Sequence, residues 1–310
     1  MQNNQNMQSW LETTMPVLSH HSSQGELASY IPALTKANPK AFGACFLGVD
    51  GSAAKFGDYS KKFTIQSISK VLTFLCCLID SPRDRVFERI SLEPSPSSFN
   101  AIAELETHAT RRPLNPMINA GAIVSSEFVA GNTADEKFSR IRDMARLLSG
   151  NTEIDYNETV YESERETGDR NRSLAYYMKS TGVVHSDVDK LLSVYFRSCA
   201  LEMTCVDLAN IALVLARSGL SETGDILIPK EIVQTVRTVM AMCGLYNESG
   251  RYAVEVGIPT KSGVGGGILA VVPNKIGIGV FSPPVNENGT SVCGSALMKA
   301  LSEDFGLRVF

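Results

Sequence analysis

One stretch of the sequence, residues 71–79, contains a single polar residue, Thr73. A helix that is apolar on every face lies inside a protein, so this stretch predicts a large core built around a buried helix. Ser67 and Lys70 come just before it, three residues apart. In a helix that spacing places both side chains on the same face. The sequence therefore predicts a serine and a lysine side by side at the start of a buried helix.

This pairing has a chemical interpretation and a structural one. Burial disfavours the charged form of Lys70 and lowers its pKa, and a neutral amine can take the proton of a serine hydroxyl to produce a nucleophile. The positive end of the helix dipole would favour the developing anion. Alternatively, Ser67 caps the helix and Lys70 extends outward to water. A second copy of the motif, Ser52 to Lys55, follows an Asp-Gly turn signal and is predicted to lie at a hairpin tip.

Composition excludes several classes of function. The chain has 310 residues, 44% of them hydrophobic and 20% charged, which is typical of a globular protein with a substantial core. A net charge of -4 gives no indication of nucleic-acid or membrane binding. No apolar run reaches membrane-spanning length, and the N-terminus lacks the pattern of a signal peptide. We therefore expect a cytoplasmic protein with no nucleic-acid or membrane partner.

The cysteines and histidines carry no sign of a metal or a disulfide framework. The seven cysteines are odd in number and include no Cys-x-x-Cys, so buried, reduced thiols are expected. None of the four histidines, His20, His21, His108 and His185, has metal-ligand spacing or suggests a Ser-His-Asp triad. No metal site is predicted from these residues. The polar residues 1–6 are expected to be disordered.

Hydrophobic periodicity predicts strands near both ends of the chain and helices between them. The predicted strands are residues 44–49, 53–57, 253–258, 268–272 and 276–281. The predicted helices are an amphipathic helix ending near residue 19, a short helix or turn at 25–32, and segments 135–148, 171–180, 187–196, 205–217 and 291–305. This order predicts an α+β fold with one antiparallel sheet, flanked by N- and C-terminal helices, and a large inserted helical region. We expect a single unit, residues 1–310, with a sheet subregion at about 7–65 and 245–310 and a helical subregion at about 66–244.

A glycine-rich segment near the end of the chain, Lys261 to Gly267, has two possible interpretations. It is not a phosphate loop, because in that motif the glycines precede the lysine and a helix follows. It could be a flexible hairpin. It could also be a loop whose bare backbone N–H groups face a bound carbonyl oxygen.

The Ser67-x-x-Lys70 motif at the head of a buried helix, with Lys261-Ser262-Gly263 on a late strand, resembles the pattern of serine β-lactamases and penicillin-binding proteins. Within that β-lactamase-like fold the chain most resembles the bacterial and mitochondrial-type glutaminases. The blocks that carry the resemblance are residues 30–32 (YIP), 66–70 (QSISK), 113–123 (PLNPMINAGAI), 163–164 (SE), 170–171 (RN), 242–246 (MCGLY) and 259–268 (PTKSGVGGGI). One departure is Thr290, where the family usually has asparagine.

The resemblance implies roles for individual residues. Ser67 would be the nucleophile and Lys70 its base, and Tyr246 or Lys70 would protonate the leaving ammonia. The residues implied to line the substrate site are Tyr30, Ser67, Asn119, Glu164, Asn171, Tyr195, Tyr246 and Val264, with Lys261 at its border. Neutral donors such as Asn119, Asn171 and Tyr195 suit an α-carboxylate, and Glu164 suits an α-ammonium. The N–H groups of Ser67 and Val264 could form the oxyanion hole.

Each of these residues also has an ordinary structural interpretation. Glu164 sits in an acidic segment, residues 162–166, that is typical of a solvated loop. Asn119 could be a turn or cap residue. Tyr30, Tyr195 and Tyr246 could be core aromatics whose hydroxyls reach water.

The function implied by the resemblance is hydrolysis of L-glutamine to L-glutamate and ammonia through a glutamyl-serine ester. The chain would need no cofactor and would form a homo-oligomer, a tetramer or a dimer. Two alternatives remain open. One is a β-lactam or peptidoglycan-type serine hydrolase of the same fold, and the other is a non-catalytic binding module that retains the serine and lysine.

Overall fold

A five-stranded antiparallel sheet is the centre of the computed structural model, which describes residues 6–107 and 109–310. Its strands are β1 (Gly43–Gly48), β2 (Ala53–Gly57), β5 (Thr260–Ser262), β6 (Gly267–Val272) and β7 (Ile276–Phe281), and a separate two-stranded pair consists of β3 (Phe63–Thr64) and β4 (Glu202–Met203). The strand order is β2-β1-β7-β6-β5, with every neighbouring pair antiparallel. The sheet thus joins the N-terminal hairpin to the C-terminal strands.

Helices cover both faces of this sheet. The α-helices are α1 (Met7–Leu18), α2 (Ser69–Asp80), α3 (Arg83–Arg89), α4 (Ala103–Thr107), α5 (Asn119–Phe128), α6 (Ala134–Ser149), α7 (Glu158–Thr167), α8 (Asp169–Ser180), α9 (Val188–Cys199), α10 (Cys205–Ala216), α11 (Lys230–Cys243), α12 (Ser249–Glu255) and α13 (Val292–Phe305). Short 3₁₀ helices occupy Ser19–Gln24, Pro32–Lys36, Gln66–Ile68 and Tyr246–Glu248. The predicted α+β fold, an antiparallel sheet between terminal helices with a large helical insertion, is confirmed.

The two faces of the sheet carry two hydrophobic clusters. On one face α1 and α13 pack over residues such as Phe46, Ile268 and Ile278. On the other face a larger cluster extends from the sheet into the helical region and includes most of α2. Ten of the twelve residues of α2 are buried, so the predicted interior helix is confirmed.

Helix α10 lies directly on strand β7 because that strand has glycines where the two elements meet. A Cβ atom at Gly279 would lie 2.1 Å from the Cys205 carbonyl oxygen, and one at Gly277 would lie 2.3 Å from the Leu213 nitrogen. Only residues without a side chain permit this approach of two backbones. The contact fixes the helical region against the sheet that carries the C-terminal part of the site.

Three local predictions are wrong. Residues 253–258 were expected to form a strand, but helix α12 runs through Ser249–Glu255 and the strand begins at Thr260. The short helix or turn expected at 25–32 is a bridge between Glu26 and Val285, and a 3₁₀ helix starts only at Pro32. Residues 162–166, expected as a loop, lie within helix α7.

The other predicted helices and strands are present with ends shifted by a few residues, and all seven cysteines are free and buried. Of the expected disordered N-terminus, residues 1–5 lie outside the described residues, while Asn6 caps helix α1 by accepting a hydrogen bond from the Gln8 N–H. Within residues 6–107 and 109–310 no helix is long and apolar enough to span a membrane.

Candidate active site

Ser67 and Lys70 lie in direct contact inside the protein. Ser67 belongs to the 3₁₀ turn Gln66–Ile68, which runs into α2, and the Lys70 Nζ donates a hydrogen bond of 2.6 Å to its Oγ. Lys70 is only 1% exposed, and burial lowers its pKa. The alternative interpretation is wrong on both points, because the helix begins at Ser69 with no side-chain cap and Lys70 does not reach water. A buried amine thus faces the hydroxyl it could deprotonate.

The backbone next to Ser67 has an unusual conformation, and the glycine loop packs closely against it. Gln66 has a φ of 49°, in the left-handed region that costs energy for a residue with a Cβ. A Cβ at Gly263 would lie 2.4 Å from the Ile65 carbonyl oxygen, and one at Gly265 would lie 2.7 Å from the Thr64 carbonyl oxygen. These glycines therefore let the loop pack against the segment that leads into the nucleophile, which a freely flexible hairpin would not do.

Val264, between those two glycines, is 3% exposed. Hydrogen bonds on both sides tighten the hairpin, from the Gly263 N–H to the Gly267 carbonyl and from the Gly266 N–H to the Gly263 carbonyl. Within the described residues the Val264 N–H makes no backbone hydrogen bond. A free N–H in a rigid turn beside the nucleophile segment is suited to binding an oxyanion.

Tyr246 is the second site residue with a left-handed backbone, with a φ of 56°. It is 2% exposed, and burial raises the pKa of its hydroxyl, an effect that Ser67 partly opposes. That hydroxyl forms no hydrogen bond of regular geometry among the described residues. The Lys261 Nζ lies 4.1 Å from the centroid of the Tyr246 ring. The phenol is therefore kept neutral, beside the serine and over a lysine.

Glu164 is a buried acid on helix α7. Asn157 caps this helix, and Val160 and Glu164, one turn apart, are its buried residues. The carboxylate is inside the protein and its Oε2 has no hydrogen-bond partner in the described structure. Burial raises its pKa to about 8, with Lys70 partly opposing the rise. An unpartnered buried acid is suited to receive a cation from outside.

Asn119 and Asn171 form a buried pair of amides. The Asn119 Nδ2 donates a hydrogen bond of 2.9 Å to the Asn171 Oδ1, while the Asn119 Oδ1 has no partner within the described residues. Asn119 is not the cap of α5, since Ile118 holds that position. The pair joins α5 to α8 and leaves amide groups available to a polar ligand.

Two further tyrosines, Tyr195 and Tyr30, were predicted to line the substrate site. Tyr195 is buried on α9, with its ring centroid 5.5 Å from the Lys70 Nζ. Tyr30 is 51% exposed as a residue, yet its hydroxyl lies among buried groups, and burial followed by Glu164 raises its pKa. Tyr30 therefore stands at the rim, with its ring reaching the surface and its hydroxyl directed inward.

Two neighbours of the site were not predicted from the sequence. Cys199 lies one turn after Tyr195 and accepts a long hydrogen bond, 3.8 Å, from the Ser69 hydroxyl. Phe99 packs its ring 5.0 Å from that of Tyr246 and 6.4 Å from that of Tyr30. Because Tyr195 and Cys199 are four residues apart on one helix, they lie on the same face, and the sequence could have predicted that Cys199 lies near the site. Phe99 lies in a serine-rich loop with no periodic pattern.

A cavity of about 400 Å³ opens beside the rim and is lined by Tyr30, Phe99, Val264 and Val285 among others. A larger cleft of about 820 Å³ is lined in part by Tyr246 but by none of the other predicted site residues. Of the predicted site residues, the smaller cavity thus contacts Tyr30 and Val264. Among residues 6–107 and 109–310 no group of three or more His, Cys, Asp or Glu could hold a metal ion, and His108 is outside that description.

Most of the sequence-predicted site residues are linked by contacts, and the amide pair joins them through Phe99, whose carbonyl accepts from the Asn119 N–H and whose ring packs on Tyr246. The contacts run from Ser67 to Lys70, from Lys70 to Tyr195, and from Lys261 to Tyr246. Mutual electrostatic influence links Glu164 with Lys70 and Tyr30. The amide pair of Asn119 and Asn171 adds neutral polar groups. Together the groups can supply a nucleophile, a base, a neutral acid and a site for a zwitterion.

Comparison with known proteins identifies the family of this chain. The glutaminase family profile matches residues 25–310. Glutaminase 2 of Clostridium perfringens is 46% identical over 305 residues, 98% of this chain and 100% of the relative. A crystal structure of a probable glutaminase from Bacillus subtilis superimposes with a TM-score of 0.92 at 35% identity, covering 98% of each chain.

A further crystal structure holds the covalent complex that a Bacillus subtilis glutaminase forms by reaction with 6-diazo-5-oxo-L-norleucine. It has a TM-score of 0.90 and 36% identity, and covers 98% of this chain and 100% of its own. The architecture is therefore the β-lactamase-like fold of these enzymes. On sequence and structure alike, the chain belongs to the glutaminase family of amidohydrolases.

Proposed function

We propose that this protein hydrolyses the side-chain amide of L-glutamine to L-glutamate and ammonia through a glutamyl-serine ester. The observation that carries the proposal is the 2.6 Å contact between the Lys70 Nζ and the Ser67 Oγ. Around that contact lie buried polar atoms without partners among the described residues, the Glu164 Oε2, the Asn119 Oδ1 and the Tyr246 hydroxyl. Buried polar groups without partners are costly, so a polar ligand is expected to satisfy them.

The acylation step uses the groups in contact with Ser67. The neutral Lys70 amine takes the hydroxyl proton, and the Oγ attacks the carbon of the side-chain amide. The resulting oxyanion accepts hydrogen bonds from the N–H groups of Ser67 and Val264. When the C–N bond breaks, Tyr246 or Lys70 protonates the departing nitrogen, and ammonia leaves.

The deacylation step repeats the sequence with water. Lys70 is neutral again, either because it gave its proton to the ammonia or because it has passed that proton to the Tyr246 phenolate. It then takes a proton from a water molecule that attacks the glutamyl-serine ester. The second oxyanion occupies the same pair of N–H groups. The ester C–O bond then breaks, Ser67 recovers its proton, and glutamate is released. No metal ion or organic cofactor takes part in this scheme.

The free amino acid is held by its charged groups. The α-ammonium pairs with Glu164, and the α-carboxylate receives hydrogen bonds from Asn119, Asn171 and Tyr195. Tyr30 stands at the entrance. Because burial raises the pKa of Glu164 to about 8, the carboxyl is largely neutral in the empty site near neutral pH and loses its proton when the ammonium binds. Glutamine binding should therefore release protons.

A comparison of two ligands tests the role of Glu164. Wild type should discriminate against N-acetyl-glutamine, which lacks the α-ammonium, and Glu164→Gln should discriminate much less. The two proteins and two ligands form a double-mutant cycle, which separates the coupling between Glu164 and the α-ammonium from any general loss of activity in the variant. A coupling energy near zero, with both proteins folded, would remove Glu164 from the substrate site.

The ester intermediate can be tested with a diazoketone analogue of glutamine. The covalent complex formed by the Bacillus subtilis relative motivates this probe. We expect peptide mass spectrometry to find the label on Ser67, and Ser67→Ala to abolish both labelling and glutamine turnover. Ser52, the serine of the second Ser-x-x-Lys copy, serves as an internal control. Labelling at Ser52, or turnover that survives Ser67→Ala, would contradict the proposed nucleophile.

Assays of the wild-type protein can also test the two alternative functions, a β-lactam or peptidoglycan-type hydrolase and a non-catalytic binding module. A chromogenic β-lactam that is hydrolysed in place of glutamine would favour the cell-wall hydrolase. Binding of glutamine without turnover would favour a binding module. The proposal also includes a homo-oligomer, dimer or tetramer, to be measured by sedimentation, and a cytoplasmic location, for which seven free, buried thiols are suited.

A further inference from the structure

The larger cleft, of about 820 Å³, next to helices α11 and α12 takes no part in the proposed reaction. Of the described residues assigned to the catalytic site, Tyr246 alone contributes to its lining, and neither Ser67 nor Lys70 reaches it. Its volume is within the range of small-molecule sites in proteins, about 300–1,000 Å³. The cleft is therefore large enough for a ligand that is not the substrate.

The walls of this cleft are mostly apolar. Met242 and Phe310 are 42% and 63% exposed, so large apolar side chains face its open space instead of the core. Clusters of apolar groups at a protein surface mark binding sites. The apolar residues that line the cleft are Pro94, Pro96, Ala241, Met242, Ala253, Pro259, Pro273, Val309 and Phe310. A ligand of this cleft is expected to have an apolar body.

Arg237, on α11, is the single charged side chain that lines the cleft within the described residues. It is partly buried, and burial lowers its pKa with no carboxylate to oppose the change. Its Nη1 donates a hydrogen bond of 3.2 Å to the Leu215 carbonyl. In the described structure that is its one hydrogen bond, and it forms no ion pair there. Because a guanidinium has five N–H donors, most of them are available to an anion.

The polar groups around Arg237 favour an anion over a cation or a zwitterion. Gln234 lies three residues earlier on the same face of α11 and adds an amide that can donate. No aspartate or glutamate side chain lines the cleft among the described residues. The charge of the cleft therefore complements a single anionic group attached to an apolar body.

We propose that this cleft binds an amphipathic carboxylate, with its apolar chain along the faces of α11 and α12 and its carboxylate on Arg237. An unpaired, partly buried cation is costly, and a carboxylate that accepts two of its N–H groups would offset that cost. The proposal does not depend on the proposed function, because glutamine hydrolysis uses none of the apolar lining.

Decanoate is a suitable probe because it combines a flexible apolar chain with one carboxylate. Isothermal titration calorimetry of the wild-type protein, below the micelle concentration, should show one molecule bound per chain. Decan-1-ol has the same chain without the charge and should bind at least about 10-fold more weakly, because hydrogen bonds to charged groups contribute more than neutral ones. Absence of decanoate binding, or equal affinity for the alcohol, would overturn the proposal.

Removing the charge from the protein should produce the same loss. Arg237→Gln should weaken decanoate binding at least about 10-fold and leave the weaker binding of decan-1-ol unchanged. The residue change and the ligand change form a double-mutant cycle that reports the contact between guanidinium and carboxylate. Arg251→Gln is the matched control, because that arginine is on α12, is 78% exposed and pairs with Glu255. Equal losses in the two variants, or no loss in Arg237→Gln, would contradict the assigned head-group contact.

Blocking variants test the place of the apolar chain. Ala241→Trp on α11 and Ala253→Trp on α12 add bulk to two parts of the lining, and each should abolish decanoate binding. Thermal unfolding identifies a variant that does not fold, and the other then serves alone. Retained binding in a folded blocking variant would refute the location.

Two competing occupants are tested in the same titrations. A large excess of L-glutamate should leave decanoate binding unchanged, and displacement by glutamate would place the carboxylate in the amino-acid site and overturn the proposal. A second copy of the chain could instead cover the cleft. In that case Ala241→Trp would dissociate the wild-type oligomer in sedimentation, whereas the proposal expects the same sedimentation as wild type.

Discussion

Replacing Glu164 with glutamine should stabilise the protein while it damages the site. The carboxyl is 4% exposed and has an oxygen without a partner in the described structure. Burial raises its pKa from 4.5 to about 8, so the folded state favours the neutral acid. Between these two pH values the folded protein retains a proton that the unfolded chain has lost. The contribution of Glu164 to the free energy of unfolding therefore falls as the pH rises from 4.5 to 8.

The size of this effect follows from the two pKa values. One pKa unit corresponds to about 1.4 kcal/mol, so ionising Glu164 in the empty site costs on the order of 3–5 kcal/mol of stability above pH 8. Glutamine has nearly the same shape and never ionises. The stability of Glu164→Gln relative to wild type should thus be constant below pH 4.5, rise through neutral pH and level off above pH 8.

Urea denaturation at a series of pH values and one fixed protein concentration would measure this difference. Titrating groups distant from Glu164 are common to both proteins and cancel, so the difference reports Glu164 together with its coupling to Lys70 and Tyr30. Glu162→Gln, at a partly exposed position on the same helix where the carboxylate pairs with Arg165, controls for loss of an acid from α7. A difference between Glu164→Gln and wild type that does not change with pH would refute the argument. A parallel glutamine assay should show the more stable variant to be the poorer enzyme.

Three other changes have definite expected outcomes. In wild type kcat/KM should rise with pH as Lys70, whose pKa is lowered by burial, and Glu164, whose pKa is raised to about 8, lose their protons. Lys70→Arg should be nearly inactive because guanidinium stays charged, and an active arginine variant would exclude Lys70 as the base. Val264→Pro removes one N–H and should cost roughly 100- to 1,000-fold in kcat, whereas normal turnover would locate the oxyanion donor elsewhere. Gly279→Ala would place a Cβ 2.1 Å from the Cys205 carbonyl and should lower the melting temperature sharply, while Gly250→Ala, with nothing within 4 Å, should not.

Hydrophobic patterns in the sequence correctly predicted the elements whose burial is continuous along the chain. Helix α2 has a continuous apolar stretch, and strands β6 and β7 are apolar runs separated by a Pro-Asn-Lys turn. The segment 253–258 misled the analysis because Val254, Val256 and Ile258 alternate as in a strand. In the structure Tyr252 and Val256, four residues apart, are buried while Val254 is 73% exposed. Tertiary packing selected the helical pattern over the alternating one.

The burial of Glu164 could have been predicted from helical spacing, but the acidic residues around it indicated a solvated loop. Its neighbours are acidic and polar, which is typical of a solvated loop, yet Asn157 caps a helix and Val160 lies one turn before it on the same buried face. Neither the left-handed φ of Gln66 nor the approach of Gly263 to the Ile65 carbonyl could be predicted. Both depend on elements that are about 200 residues apart in the chain and meet only in the folded protein.

The alkylation rates of the buried cysteines can be used to measure local opening of the structure. Burial raises the pKa of Cys199 to about 12, and it also raises the pKa of Cys293, on α13 at the far side of the sheet. A thiol reagent can therefore modify either position only while the surrounding structure is transiently open. The alkylation rate of Cys199 would follow opening beside Ser69, and that of Cys293 would follow detachment of the C-terminal helix. A bound amino acid should slow the alkylation of Cys199 and leave that of Cys293 unchanged. The two rates would then distinguish local opening at the site from global unfolding, with no cysteine added.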